Sequence, residues 1–224
     1  METVFDAGVD ALRQKMLRMA ARACASVNQS VQALIRRDGE LARRVKEDDS
    51  LIDQCELEID EFAIQLLTQA PLATHLRSIT VAMKISQNLE RVGDEASKIA
   101  KRARDLALEP PLPRQPDLPG LAAEALAMLN DALDAFVNRD SAAARAMIPR
   151  DRHVDARNRQ IQAALLEQMM ENTDTIVRCL HWMVAAKSLE RIADHATNIA
   201  EDVVYLCEAQ DIRHTGIKNQ AVPP

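Results

Sequence analysis

Aromatic side chains are nearly missing from this chain: one Trp, one Tyr and three Phe make up 2% of its 224 residues. Glycine is scarce too, with five residues, while Ala, Leu, Arg, Glu and Met abound. Such a composition suits helix and starves a sheet of the side chains that cover its faces. The four cysteines (Cys24, Cys55, Cys179, Cys207) form no Cys-x-x-Cys pair. That spacing fits reduced, buried thiols in the cytoplasm better than a disulfide framework or a zinc site. No apolar run approaches the roughly 18 residues of a membrane span. Glu2 and Asp6 stand where a signal peptide would carry basic residues, so the expectation is a soluble, cytoplasmic protein. Basic clusters interleaved with aromatics are absent and the formal net charge is -6. Nucleic acid is therefore not an expected partner; metal ions or basic protein surfaces suit the acidic balance better.

What the chain does have is a repeat. Leu89-Glu90-Arg91-Val92-Gly93-Asp94 returns as Leu189-Glu190-Arg191-Ile192-Ala193-Asp194. A second block, Arg37, Asp38, Ala42, Arg43, Asp49, Asp53 and Ile59, recurs as Arg139, Asp140, Ala144, Arg145, Asp151, Asp155 and Ile161. The displacement differs slightly between the blocks, which places an insertion near Gln69 to Leu72.

Apolar periodicity divides each copy into three helices. The first runs over 4–38 (Leu12, Met16, Met19, Ala23, Val27), with Asp38-Gly39 as its stop. The second runs over 40–68 (Ile52, Cys55, Ile59, Phe62, Leu66) and is broken by Gln69-Ala70-Pro71. The third runs over 72–107 (Leu76, Ile79, Met83, Leu89, Val92, Ala96, Ile99). The segment 108–120 holds five of the nine prolines and is expected to be a semi-rigid spacer. The plan then repeats over 121–138, 140–171 with a break at Pro149, and 174–208. The expected domains are a first three-helix unit over 1–107, the linker 108–120, a second unit over 121–209 and a tail over 210–224. The fold class is all-α, two three-helix bundles in tandem.

The repeated residues include carboxylates, and their phase matters. At about 100° per residue from Leu89, Val92, Ala96 and Ile99 fall roughly between 280° and 340°, whereas Glu90 and Asp94 fall near 100° and 140°. The two acids share a face, one turn apart, away from the core stripe. On the second helix Asp49, Asp53, Glu56 and Asp60 lie together on the flank of the buried stripe. The second copy offers Asp151, Asp155, Asn158 and Gln162, with Glu190 and Asp194. Helices packed about 8–10 Å apart bring such pairs alongside each other, forming an oxygen-rich site for Mg, Mn or Fe. One acidic pair on a helix surface is ordinarily solvated or paired with a neighbour such as Arg91. Four pairs at matching places in a duplicated unit point to metal ions. His153 and His195 add imidazole in the second copy only, with His153 more simply a solvated residue and His195 a ligand or a partner to one.

Taken with the Glu-Arg-x-x-Asp cores, the turn Gln69-Ala70-Pro71-Leu72-Ala73-Thr74-His75-Leu76-Arg77 and the ending Asn198-Ile199-Ala200-Glu201-Asp202-Val203-Val204-Tyr205-Leu206 resemble the PhoU family, over about residues 5 to 214. The resemblance implies two pseudo-symmetric three-helix bundles carrying divalent or transition metal ions (Fe, Mn, Mg or Zn). It places those ions on Asp49, Asp53, Glu90 and Asp94, and on Asp151, Asp155, Glu190, Asp194 and His195, with Glu56, His153, Asn198 and Glu201 as further candidates. It implies a regulator of inorganic phosphate uptake, peripheral to the membrane through its partners: the ATPase subunit of the phosphate ABC transporter and a phosphate-sensing histidine kinase. A homodimer is implied as well. Against Asn198 and Glu201 the first copy has Lys98 and Lys101, so the second copy is expected to hold the better metal site.

Two other readings compete. A ferritin-like dimetal carboxylate enzyme requires inward-facing Glu-x-x-His pairs. No Glu lies three residues before any of the five histidines. A metal-free helical scaffold would share the fold and carry no ion. No Gly-rich phosphate loop or nucleophile-base pair is present, so the chain is not expected to be an enzyme.

Overall fold

The repeated Arg-Asp pair is the corner of each bundle. In the computed structural model, which describes residues 4–70 and 72–213, α1 (Val4–Arg36) ends where Arg37 turns to φ 57°. Asp38 then caps α2 (Gly39–Asp48), its carboxylate accepting from the Leu41 amide at 2.9 Å. The copy is faithful: α5 (Leu118–Asn138) stops at Arg139, φ 52°, and Asp140 accepts from the Ala143 amide at 2.9 Å to start α6 (Ser141–Met147). A single left-handed residue reverses the chain, and an Asp satisfies a first-turn N–H of the next helix.

The helix expected over 40–68 is two helices, α2 and α3 (Ser50–Leu67), meeting at Asp49. In the second copy α6 passes through a turn of 3-10 helix at Ile148–Arg150 into α7 (Asp151–Glu171), the break expected at Pro149. Proline accounts for the second bend alone, yet both fall at the first repeated carboxylate. α4 (Ala73–Ala107) and α8 (Ile176–Glu208) are the long third helices. No strand occurs among the described residues.

α4 and α8 form the central antiparallel pair. Arg102 meets His181 at 3.1 Å, Glu95 meets Arg191 at 3.2 Å, and Lys84 meets Asp202 at 3.4 Å, so rising numbers on one helix meet falling numbers on the other. Ile85, Leu89, Val92, Ala96 and Ile99 of α4 and Leu189, Ile192, Ala193, Ala196 and Ile199 of α8 are wholly buried. α1, α2 and α3 pack on α4, while α5, α6 and α7 pack on α8, giving two pseudo-symmetric three-helix bundles.

The proline-rich segment is held rather than loose. Buried Arg178 donates to the carbonyls of Pro110 and Pro111 at 3.2 and 3.0 Å, and the Arg114 amide donates to buried Gln168 at 2.9 Å. The helix expected from 121 begins at Leu118. Asp117 accepts from the Gly120 amide at 3.1 Å, and Pro119 sits in the first turn, where its missing N–H costs nothing. The tail expected from Gln210 starts differently as well: Ile212 is 3% exposed and packs on the core. Residues 214–224 lie outside those described.

Candidate metal centre

Gly93 lets α3 lie close on α4. A Cβ there would stand 2.9 Å from Ile52 Cδ1 and 3.6 Å from Asp49 Oδ1. The close approach brings the acids of α3 (with Asp49 at its head) to those of α4. Burial raises Glu90 above the ordinary carboxylate range, and Asp94, Glu56 and Asp53 raise it further, with Arg91 opposing. Burial likewise raises Asp53, joined by Asp49 and Asp94, and Lys46 opposes. Glu56 is raised by burial, Asp60 and Asp53, again against Arg91. Asp49, Asp53, Glu56, Asp60, Glu90 and Asp94 therefore act on one another across two helices, as like charges gathered in partly desolvated ground must. Lys46 reaches Asp49 at 3.4 Å, and Asp60 Oδ1 is buried with no hydrogen-bond partner. Surplus negative charge, oxygen donors only and an orphaned carboxylate oxygen suit a hard cation. Among the described residues no three His, Cys, Asp or Glu groups stand close enough to share one ion. The carboxylates are gathered electrostatically, short of a closed coordination shell.

The second copy differs. Asn158 and Gln162 occupy the places of Glu56 and Asp60, with Gln162 donating to Asn158 at 3.2 Å and to the Met183 carbonyl at 3.1 Å. Asp151 is buried and Asp155 half-buried. Lys187 grips buried Glu190 at 2.6 Å. His153 is exposed on the other side of α7, beside Glu124, Met128 and Arg150, away from the acids. Glu201 acts on Arg213, two turns beyond Asp194.

A model of the PhoU domain matches the chain twice, over residues 16–103 and 118–203. The chain belongs to the PhoU family. It is 39% identical to the phosphate-specific transport system accessory protein PhoU homolog of Pseudomonas aeruginosa, covering 95% of this chain and 89% of that one. To the Escherichia coli accessory protein PhoU it is 32% identical, over 95% of this chain and 88% of the relative. The crystal structure of PhoU from Pseudomonas aeruginosa matches with a TM-score of 0.89 at 38% identity, covering 92% of this chain and 100% of that one.

Within this PhoU chain, Asp94 and Asp194 line one open cleft of about 460 Å³ between α4 and α8, so the last acid of each repeated Glu-Arg-x-x-Asp borders the same cleft. His195 belongs to this cleft. Its Nδ1 lies 3.1 Å from Asn88 Oδ1, to which Asn198 also donates at 3.4 Å. Lys98 likewise turns to Glu95, at 2.8 Å, rather than to Glu90 or Asp94. Lys98 is thus engaged away from the first pair of acids, and the second copy has a lysine of its own on its acids, Lys187. Single-helix phase identified the acids but missed Lys187, Asn88 and the Arg91–Arg191 pair. The recurrence of Arg in Glu-Arg-x-x-Asp was the signal for the last.

Proposed function

We propose that this PhoU chain is a metal-binding accessory regulator of phosphate uptake and phosphate-starvation signalling, joining the ATPase subunit of a phosphate ABC transporter to a phosphate-sensing histidine kinase in the cytoplasm. The mutual repulsion of Asp53, Glu56, Glu90 and Asp94 across α3 and α4 carries the metal reading. Divalent or transition ions (Fe, Mn, Mg or Zn) would be held by Asp49, Asp53, Glu90 and Asp94, with Glu56 and Asp60 beside them. Asp151, Asp155, Glu190 and Asp194 form the second set. A bound ion supplies positive charge and ligand bonds that tie α3 to α4, making the shape and charge of the face depend on loading. The exposed carboxylates also suit a basic partner surface. The relatives' role in phosphate-specific transport supports the transporter as partner. Among the described residues no helix is long and apolar enough to cross a membrane, which suits a protein that meets the membrane through its partners. The regulatory role is non-enzymatic, and a homodimer is part of the same reading.

The test replaces Glu90, Asp94, Glu190 and Asp194 by Gln or Asn. Metal content, melting temperature, binding to the transporter ATPase and sensor kinase, and phosphate-responsive transcription are then measured. The expected outcome is a folded protein that has lost metal and regulation. Full binding and repression in the variant would place the partner surface elsewhere, and a purified wild type without metal would favour the metal-free scaffold.

A further inference from the structure

The cleft between the acidic clusters is cationic at its floor. Glu95, 4% exposed, is clamped by Lys98 at 2.8 Å and by Arg191 at 3.2 Å, a trio that keeps one positive charge. Arg91 enters from the opposite helix and is exposed. Arg91 and Arg191 occupy equivalent positions in the two repeats, on antiparallel helices, and so face the cleft as a pair.

We propose that this cleft binds one small tetrahedral oxyanion, inorganic phosphate in particular, between the Arg91 and Arg191 guanidinium groups, and that divalent cations at the flanking carboxylates strengthen the binding. A guanidinium presents a flat fork of N–H donors that matches two oxygens of such an anion. Arg191 uses Nη1 for Glu95, so its Nη2 and Nε donors remain for a ligand. Asn198 and His195 offer further polar groups beside them. About 460 Å³ leaves room for the anion with part of its hydration.

The charge balance explains the coupling. Three basic residues (Arg91, Lys98, Arg191) and three acidic ones (Asp94, Glu95, Asp194) line the cleft, so without a cation its formal charge cancels. A divalent ion drawn to Asp94 or Asp194 tips the balance positive, and by linkage the anion tightens cation binding by the same factor. This rests on reading those aspartates as cation-binding groups. The cleft thereby becomes a place where phosphate and metal are sensed together.

The experiment uses the full, metal-stripped chain in equilibrium dialysis against radiolabelled inorganic phosphate, with and without Mn2+. Bound manganese is measured in the same chambers. Wild type is compared with R91Q/R191Q, whose exposed positions spare the fold, as a melting curve checks. The expected result is one phosphate per chain with Mn2+ present and about tenfold weaker binding without it. The double variant should still take up manganese in the absence of phosphate and bind phosphate about tenfold more weakly. Manganese bound without phosphate overturns the oxyanion site and leaves the metal reading standing. Phosphate binding equal in the variant also overturns it, since the anion then sits elsewhere. Wild type that takes up no manganese removes the metal reading and the coupling with it.

Discussion

Lys187 holds Glu190 at 2.6 Å across one turn of α8, and the first repeat has Gln87 at the matching position of α4. One ammonium thus does in the second repeat what a bound cation would do in the first. With Asn158 and Gln162 replacing two further acids, the second set has less negative charge to neutralise than the first. Changing Asp53 and Asp94 together to Asn is therefore expected to remove more bound metal than changing Asp155 and Asp194. Lys187→Gln should raise uptake at the second repeat. Elemental analysis after dialysis against Mn2+ reads both, and an unchanged metal content in Lys187→Gln would show that Glu190 is not the limiting ligand.

The pH dependence has a defined sign. Asp53, Glu56 and Glu90 have folded-state pKa values above their ordinary ones. Each binds its proton more tightly in the folded chain, so when ionised at neutral pH it opposes folding. That opposition fades as pH falls through the raised values towards the ordinary carboxylate range. Asp53→Asn with Glu90→Gln should melt about 1–2 °C above wild type at pH 7 without metal, and the gain should vanish near pH 4. A gain that persists at the acidic end would mean that repulsion is not its source.

Arg178 is the clasp on the proline segment. Besides Pro110 and Pro111 it donates to the Asp174 carbonyl at 3.0 Å, and it is 9% exposed. Arg178→Ala should cost about 2–3 kcal/mol, because three backbone carbonyls lose a charged donor. For a chain of this size that lowers the melting temperature by roughly 5–10 °C. Limited proteolysis should then cut within 108–117. A variant as resistant as wild type would show that Arg114, Gln168 and Leu112 hold the segment without it.

The two corners make opposite predictions at adjacent residues. Asp38→Ala and Asp140→Ala each remove a first-turn cap and should cost about 1 kcal/mol apiece, adding in the double variant because the corners share no partners. Arg139→Gly should stabilise by about 1 kcal/mol, since only glycine adopts φ 52° without strain. Urea midpoints at constant slope decide it, and a destabilised Arg139→Gly would assign the arginine side chain a role of its own.

The sequence by itself determined the helices, their order, the duplication and which carboxylates share a face. These depend on local periodicity and on phase along one helix, as with Glu90 and Asp94 beside the Leu89–Val92–Ala96 stripe. It also contained the corner signal, Arg37-Asp38 and Arg139-Asp140, whose meaning needed only backbone geometry. Tertiary structure alone decided the rest. Which lysine meets which acid depends on how α4 and α8 cross: Lys98 sits one turn from both Asp94 and Glu95, and the position of Arg191 on the other helix made Glu95 its partner. His195 and Asp194 both line the inter-repeat cleft, yet the imidazole is taken up by Asn88 of α4, at 3.1 Å, a partner that the phase of α8 alone does not reveal. Side-chain phase is a property of one helix, whereas charge neutralisation is a property of the several helices that meet around it.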